Sequence, residues 1–179
     1  LKEQMKSDPR KYLVLGYSKG APDVQTALAL QPGIRDAVAA FVAVAGASGG
    51  SPIADVMPGM VDKWVSQFRM GDCRGDLSTG MRSLQRSVRQ AFLASYPHPL
   101  VPTYSLPAIA DEATVSKGLA QMWKIMQVYD KFQDGQLTKS DATVPESKFL
   151  GAARADHLAV ALPFDKVGDD MIKAQMDKG

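Results

Sequence analysis

The chain is patterned by short apolar runs that end at small residues or prolines, with longer stretches of helical periodicity between them. The first run, Lys11-Tyr12-Leu13-Val14-Leu15-Gly16, is rich in strand formers and lacks polar alternation. That pattern predicts a strand buried on both faces, of the kind found inside a parallel sheet. Tyr17-Ser18-Lys19-Gly20-Ala21 follows, and from Pro22 to Leu30 small and apolar residues recur at helical spacing until Gln31-Pro32-Gly33 stops the helix. A second apolar run, Ala39 to Ala45, closes at Gly46. Strand, helix, strand in this order predicts a right-handed parallel βαβ unit.

Beyond Gly46 the pattern loosens. Ala47-Ser48-Gly49-Gly50-Ser51-Pro52 reads as a small-residue loop, and the stretch up to about Arg74 is irregular and rich in Met. From Asp76 to Ser95 the chain is amphipathic, with Met81, Leu84, Val88 and Phe92 on one face. Arg82, Arg86 and Arg89 lie on another, which reads as a solvated basic stripe. Pro97-His98-Pro99-Leu100-Val101-Pro102 forces an extended connector into a third strand at Thr103 to Ala110, weakened by Pro107 inside it. A helix is predicted over Ser116 to Lys131, with Leu119, Met122, Met126 and Tyr129 at core spacing. A strand is predicted at Lys148 to Ala152 and a terminal helix over Asp165 to Lys178. The fold class is α/β: one domain over 1–179, a mostly parallel sheet flanked by helices, with a helical cap inserted at about residues 52–95.

Composition narrows the function classes. Of 179 residues, 45% are hydrophobic and 22% charged, which is ordinary for a globular domain with a core. Twenty-one basic against nineteen acidic residues leave a formal charge of +2, too little for a dedicated nucleic-acid binder. A single cysteine, Cys73, excludes a disulfide framework and a cysteine zinc cluster, and with only His98 and His157 no metal site and no cofactor is expected. Cys73 beside Arg74 reads as a bland cysteine with no base to use it. No apolar run approaches the roughly 20 residues that span a bilayer, and the start is not a signal peptide, so a soluble chain is expected, with the cytoplasm slightly favoured.

The chemistry concentrates in Gly16-Tyr17-Ser18-Lys19-Gly20, a G-x-S-x-G pattern placed between a buried strand and a helix. There a serine sits on a strained turn, glycines two positions either side let the backbone pass closely, and the helix N-terminus faces any oxyanion that forms. A histidine should follow late in the chain, with an acid before it. His157 lies after the last predicted strand, whereas His98 sits between prolines ahead of a strand. For the acid, Asp134 in Asp134-Gly135-Gln136-Leu137 is preferred to Asp141 in Asp141-Ala142-Thr143-Val144-Pro145. Asp111 comes third, and Asp156 is ruled unsuitable as the neighbour of the histidine.

These residues resemble the α/β-hydrolases, in particular their lipase and esterase branch. Gly16-Tyr17-Ser18-Lys19-Gly20 is similar to that family's nucleophile elbow. Ala45 to Asp55 is similar to a lipase loop with the pattern Pro-His-x-Gly-Ser-x-x-Ala-Asp, with Ala47-Ser48 in place of Pro-His. Asp134-Gly135-Gln136-Leu137 through Val144-Pro145 is similar to the acid loop of such lipases. The resemblance implies a serine hydrolase cleaving carboxylic esters through an acyl-enzyme, with Ser18 as nucleophile, His157 as proton shuttle and Asp134 as orienting acid, Asp141 remaining the alternative. It also implies that the backbone N–H of Lys19 donates to the oxyanion. Tyr17, Met57, Met60 and Trp64, with Phe68 and Met70, would contact an apolar, lipid-like acyl group.

In that family several strands precede the elbow, and a loop among them gives the second oxyanion donor; here only Leu1 to Arg10 do so, one partial helix. Loss of one donor costs roughly 2.7–4 kcal/mol of transition-state stabilisation. The start at Leu1 then reads as the cut edge of a larger hydrolase, completed by a separate N-terminal part or by pairing with a copy of itself along an apolar strand edge. Two other readings stand beside the esterase: a thioesterase or other acyl hydrolase, and a non-catalytic module or inactive fragment that binds an apolar ligand or a partner.

Overall fold

The computed structural model describes residues 10–56 and 77–161. The predicted first and terminal helices, the cap segment 57–76 and Cys73 lie outside the described residues. Four strands form one parallel sheet in the order β1 (Tyr12–Tyr17), β2 (Val38–Val44), β3 (Thr103–Leu106), β4 (Lys148–Phe149). Between the first two run α1 (Gly20–Leu30) and the short α2 (Pro32–Ala37). Pro32 does not simply stop the helix. The chain breaks at Gln31 and restarts with Pro32 at the first helical position, where its missing N–H costs nothing.

The core sits between this sheet and α1. Ala21, Leu28, Val38, Phe41, Ala43 and Val144 form one buried cluster, with Val14, Val24, Ile34 and Val101 packed against it. Phe41 is 1% exposed, so truncating it to alanine removes roughly 3–5 kcal/mol. A second cluster of Ala47, Ala54, Leu84, Leu137 and Ala142 lies beyond the carboxyl ends of the strands. It draws the loops after β2 and β3 onto the same end of the sheet.

Among the described residues β1 is the edge strand of the sheet, and only one of its faces is covered. Leu13 and Leu15 are 61% and 63% exposed, while Val14 and Gly16 face the core side. Leu15 continues across the sheet through Val42 to Tyr104 on one open face. A run with no polar alternation carries no signal of which face is covered.

The described part of the predicted amphipathic stretch, 77–95, is two helices, α4 (Leu77–Arg82) and α5 (Arg86–Ser95), and α3 (Pro52–Val56) is a short helix ahead of them in the chain. The break falls at Ser83–Gln85, so the predicted apolar stripe is interrupted: Leu84 is buried but Val88 is exposed. β3 stops at Leu106, before Pro107, and continues only as a bridge between Ala108 and Ala153. The predicted helix over Ser116 to Lys131 is regular only in α6 (Ala120–Met126). Leu119 and Met126 are buried there as expected, and Tyr129 is exposed.

Candidate active site

The turn between β1 and α1 holds Ser18 at φ +51°, a left-handed conformation that costs a non-glycine residue about 1–3 kcal/mol. Its backbone is fastened on both sides. The N–H donates to the Val44 carbonyl at 3.3 Å, and the carbonyl accepts from Ala21 N at 3.2 Å and Ala47 N at 3.0 Å. The loop after β2 therefore pins the turn after β1.

Gly16 is required by space: a Cβ there would stand 2.8 Å from Ala21 Cα and 2.9 Å from the Gly20 carbonyl oxygen. Gly20 is not, since no atom lies within 4 Å of its would-be Cβ. The motif's two glycines thus differ in role, contrary to their shared reading in the sequence. Gly16→Ala is expected to cost roughly 1–3 kcal/mol through overpacking. Gly20→Ala should be neutral or gain up to about 1 kcal/mol at its helical position. Thermal unfolding of the two variants checks this; equal midpoints would contradict it.

Facing Ser18 is one long-range partner, His157, which is backed in turn by Asp134. His157 Nε2 lies 2.8 Å from Ser18 Oγ, and His157 Nδ1 lies 2.8 Å from Asp134 Oδ2. Asp134 is fully buried and His157 is 2% exposed, so the bond between them is shielded from solvent, while the one to Ser18 is partly buried at the cavity. Asp134 sits in a tight turn made possible by Gly135 at φ +94°. Its Oδ1 accepts Gln136 N at 2.9 Å and Leu137 N at 2.8 Å, which leaves Oδ2 directed at the imidazole. The main chain is fixed as well, with His157 N donating to the Asp134 carbonyl at 2.8 Å. A carboxylate on Nδ1 keeps the proton there and leaves Nε2 to accept from the Ser18 hydroxyl.

Asp141 is placed elsewhere. Its carboxylate accepts the Thr138 hydroxyl at 2.7 Å, and burial raises its pKa above the ordinary carboxylate value. Asp111 turns back on Thr114, and His98 pairs with Glu146 on the surface. Lys19 follows the serine at the N-terminus of α1, so its backbone N–H is at the head of that helix, while its ammonium pairs with Asp23 in solvent. Tyr17 borders the cavity, but its hydroxyl is occupied with the His157 carbonyl. Met57, Met60, Trp64, Phe68 and Met70 lie outside the described residues.

A cavity of about 320 Å³ opens at Ser18 and His157. Its apolar wall comes from Ile53, Met81, Leu84, Met122, Leu137 and Leu158. Met81 and Met122 stand on helical stripes that read as core, and the periodicity cannot tell a core-facing from a cavity-facing methionine. Asp156 was also missed. It is fully buried, its Oδ2 accepts Ser116 N at 2.6 Å, and its Oδ1 accepts Leu158 N at 3.0 Å and Ala159 N at 2.9 Å. The signal was present as an aspartate ahead of a short turn, the pattern of a helix cap.

The basic stripe is not a solvated face. Arg89 is 4% exposed, donates from Nε to the Ser48 carbonyl at 3.0 Å and from a terminal nitrogen to Gln25 Oε1 at 2.8 Å, and lies over the Phe92 ring. Burial pulls its pKa down to about 10. Arg86 pairs with Asp55 at 2.8 Å, tying α5 to α3, and of the three only Arg82 is exposed. Among the described residues no group of three His, Cys, Asp or Glu side chains could hold a metal ion, and no helix is long and apolar enough to cross a membrane.

The sequence matches no protein-family profile and no curated protein. Solved structures do match. A metagenomic carboxyl esterase, MGS0156, is 34% identical with a TM-score of 0.77, over 88% of this chain and 49% of its own. The Bacillus licheniformis lipase BlEst2 in its mature form is 21% identical with a TM-score of 0.68, over 92% of this chain and 66% of its own. Its propeptide form gives 20% identity, a TM-score of 0.67 and coverage of 89% and 34%. The chain thus spans about half the length of the esterase it resembles. With four parallel strands, flanking helices and this likeness to esterase and lipase structures, the chain belongs to the α/β-hydrolase superfamily.

Proposed function

We propose that the chain carries the catalytic core of a carboxylic-ester hydrolase that works through an acyl-enzyme. The observation that carries this reading is the sequence of 2.8 Å hydrogen bonds from the buried Asp134 through His157 to Ser18 at the mouth of an apolar cavity. Ser18 Oγ attacks the ester carbonyl while His157 Nε2 takes its proton. The same proton then goes to the leaving alcohol, and a water activated by His157 releases the acid. Asp134 holds the tautomer and stabilises the imidazolium formed in each half-reaction. The Lys19 N–H, at the head of α1, donates to the oxyanion with the helix dipole behind it. The methionine and leucine wall suits an apolar acyl group, since methionine adapts to irregular chains.

Treatment with a fluorophosphonate probe tests the reading. The expected result is covalent labelling of the wild-type chain that disappears in Ser18→Ala with folding intact by circular dichroism. A folded wild-type chain that takes no label overturns it for this chain.

A further inference from the structure

Nucleophile and base come from residues 139 positions apart, and their contact must be held to a fraction of an ångström. Tyr17 is peptide-bonded to Ser18, and its hydroxyl donates to the backbone carbonyl of His157. Its ring also lies against the imidazole, with centroids 5.2 Å apart and planes inclined by 30°. The remaining attachments of His157 all come from the acid loop: its N–H to the Asp134 carbonyl and its Nδ1 to Asp134 Oδ2. Those bonds fix the histidine relative to the acid, and leave its spacing from the serine to the 2.8 Å Oγ–Nε2 contact, which is given up whenever the serine is acylated.

We propose that Tyr17 is a positioning residue that sets the Ser18–His157 spacing, a brace between the nucleophile turn and the histidine loop rather than a substrate contact. The inference rests on the triad reading given above. Tyrosine suits the task because its ring packs on the imidazole while its hydroxyl reaches past it to the carbonyl. Phenylalanine keeps the first contact and loses the second. Burial, with Asp134 and Asp156 nearby, raises the phenol pKa, so the hydroxyl keeps its proton to donate.

The test is steady-state hydrolysis of p-nitrophenyl butyrate by the full chain. Tyr17→Phe is expected to lower kcat roughly 10- to 100-fold with KM within about twofold, the size of loss that follows a misplaced catalytic group. Tyr17→p-aminophenylalanine, which restores a donor at the same point, should recover most of the rate. A substrate-contact role would instead raise KM, and a merely structural one would lower the melting temperature in step with kcat and show no rescue. Either result overturns the proposal, as does a wild-type kcat in Tyr17→Phe. Ser18→Ala run in parallel separates the two failures: if it keeps its activity the triad reading falls, and if it is inert while Tyr17→Phe is unaffected, only the brace does.

Discussion

Asp134→Asn is expected to lower kcat roughly 10⁴-fold with little change in KM, by the tautomer effect known for an acid-to-amide change in a triad. The geometry gives the reason. Oδ1 takes two backbone N–H groups, from Gln136 and Leu137, so the asparagine oxygen is held there and its amide NH2 is turned to Nδ1 of His157. A donor facing Nδ1 moves the imidazole proton to Nε2, which can then no longer accept from Ser18. Asp141→Asn is the control, and it should keep wild-type rates because its partner is the Thr138 hydroxyl. It should also be at least as stable as the wild type near neutral pH. A carboxyl whose folded pKa is raised is penalised once ionised, so any stabilisation by the amide grows as pH rises above the ordinary carboxylate range and vanishes below it. Paired kinetics of the two variants and their unfolding midpoints at acid and neutral pH check both statements. The opposite ranking in activity would move the acid to Asp141.

Asp156→Ala should cost roughly 2–5 kcal/mol of stability, on the scale of emptying the Phe41 site. It strips a fully buried carboxylate from three backbone donors, those of Ser116, Leu158 and Ala159. For a chain of this length that lowers the melting temperature by about 5–15 °C. Asp156→Asn falls between, since one amide oxygen can serve Leu158 and Ala159 while its NH2 is set against the Ser116 N–H. Activity should fall with stability, because the same carboxylate anchors the segment that carries His157. A melting temperature unchanged in Asp156→Ala would show that the backbone finds other acceptors.

The sequence makes the strand–turn–helix around Ser18 legible because its signals are local: an apolar run, a glycine pattern and a helical period within twenty residues. The preference for Asp134 rests on the room it leaves before His157 and on the likeness of its loop to a lipase acid loop; the structure adds that in Asp-Gly-Gln-Leu one carboxylate oxygen is used by the backbone while the other reaches outwards. Where reading fails, the deciding partner is distant. Arg89 looks like part of a charged stripe until Ser48 and Gln25 arrive from 41 and 64 positions away to satisfy it. Asp156 reads as unsuited to orient the histidine beside it, and that same adjacency is what lets it hold the histidine's loop to Ser116, 40 positions earlier. Leu13 and Leu15 read as buried, and among the described residues they stay largely exposed, because hydrophobicity reports what a side chain prefers and not which segment covers it.

The two hydrogen bonds of the His157 ring also differ in what they ask of a folding chain. The bond to Asp134 closes a segment of 23 residues and the bond to Ser18 one of 139. By chain entropy alone the second closure costs about 1.6 kcal/mol more than the first. Acid and base can therefore meet in a chain whose N-terminal βαβ unit has not yet docked, whereas nucleophile and base cannot. Hydrolytic competence would appear only with a contact that spans most of the described chain, which makes the Ser18–His157 pair a gauge of complete folding as well as a place for chemistry.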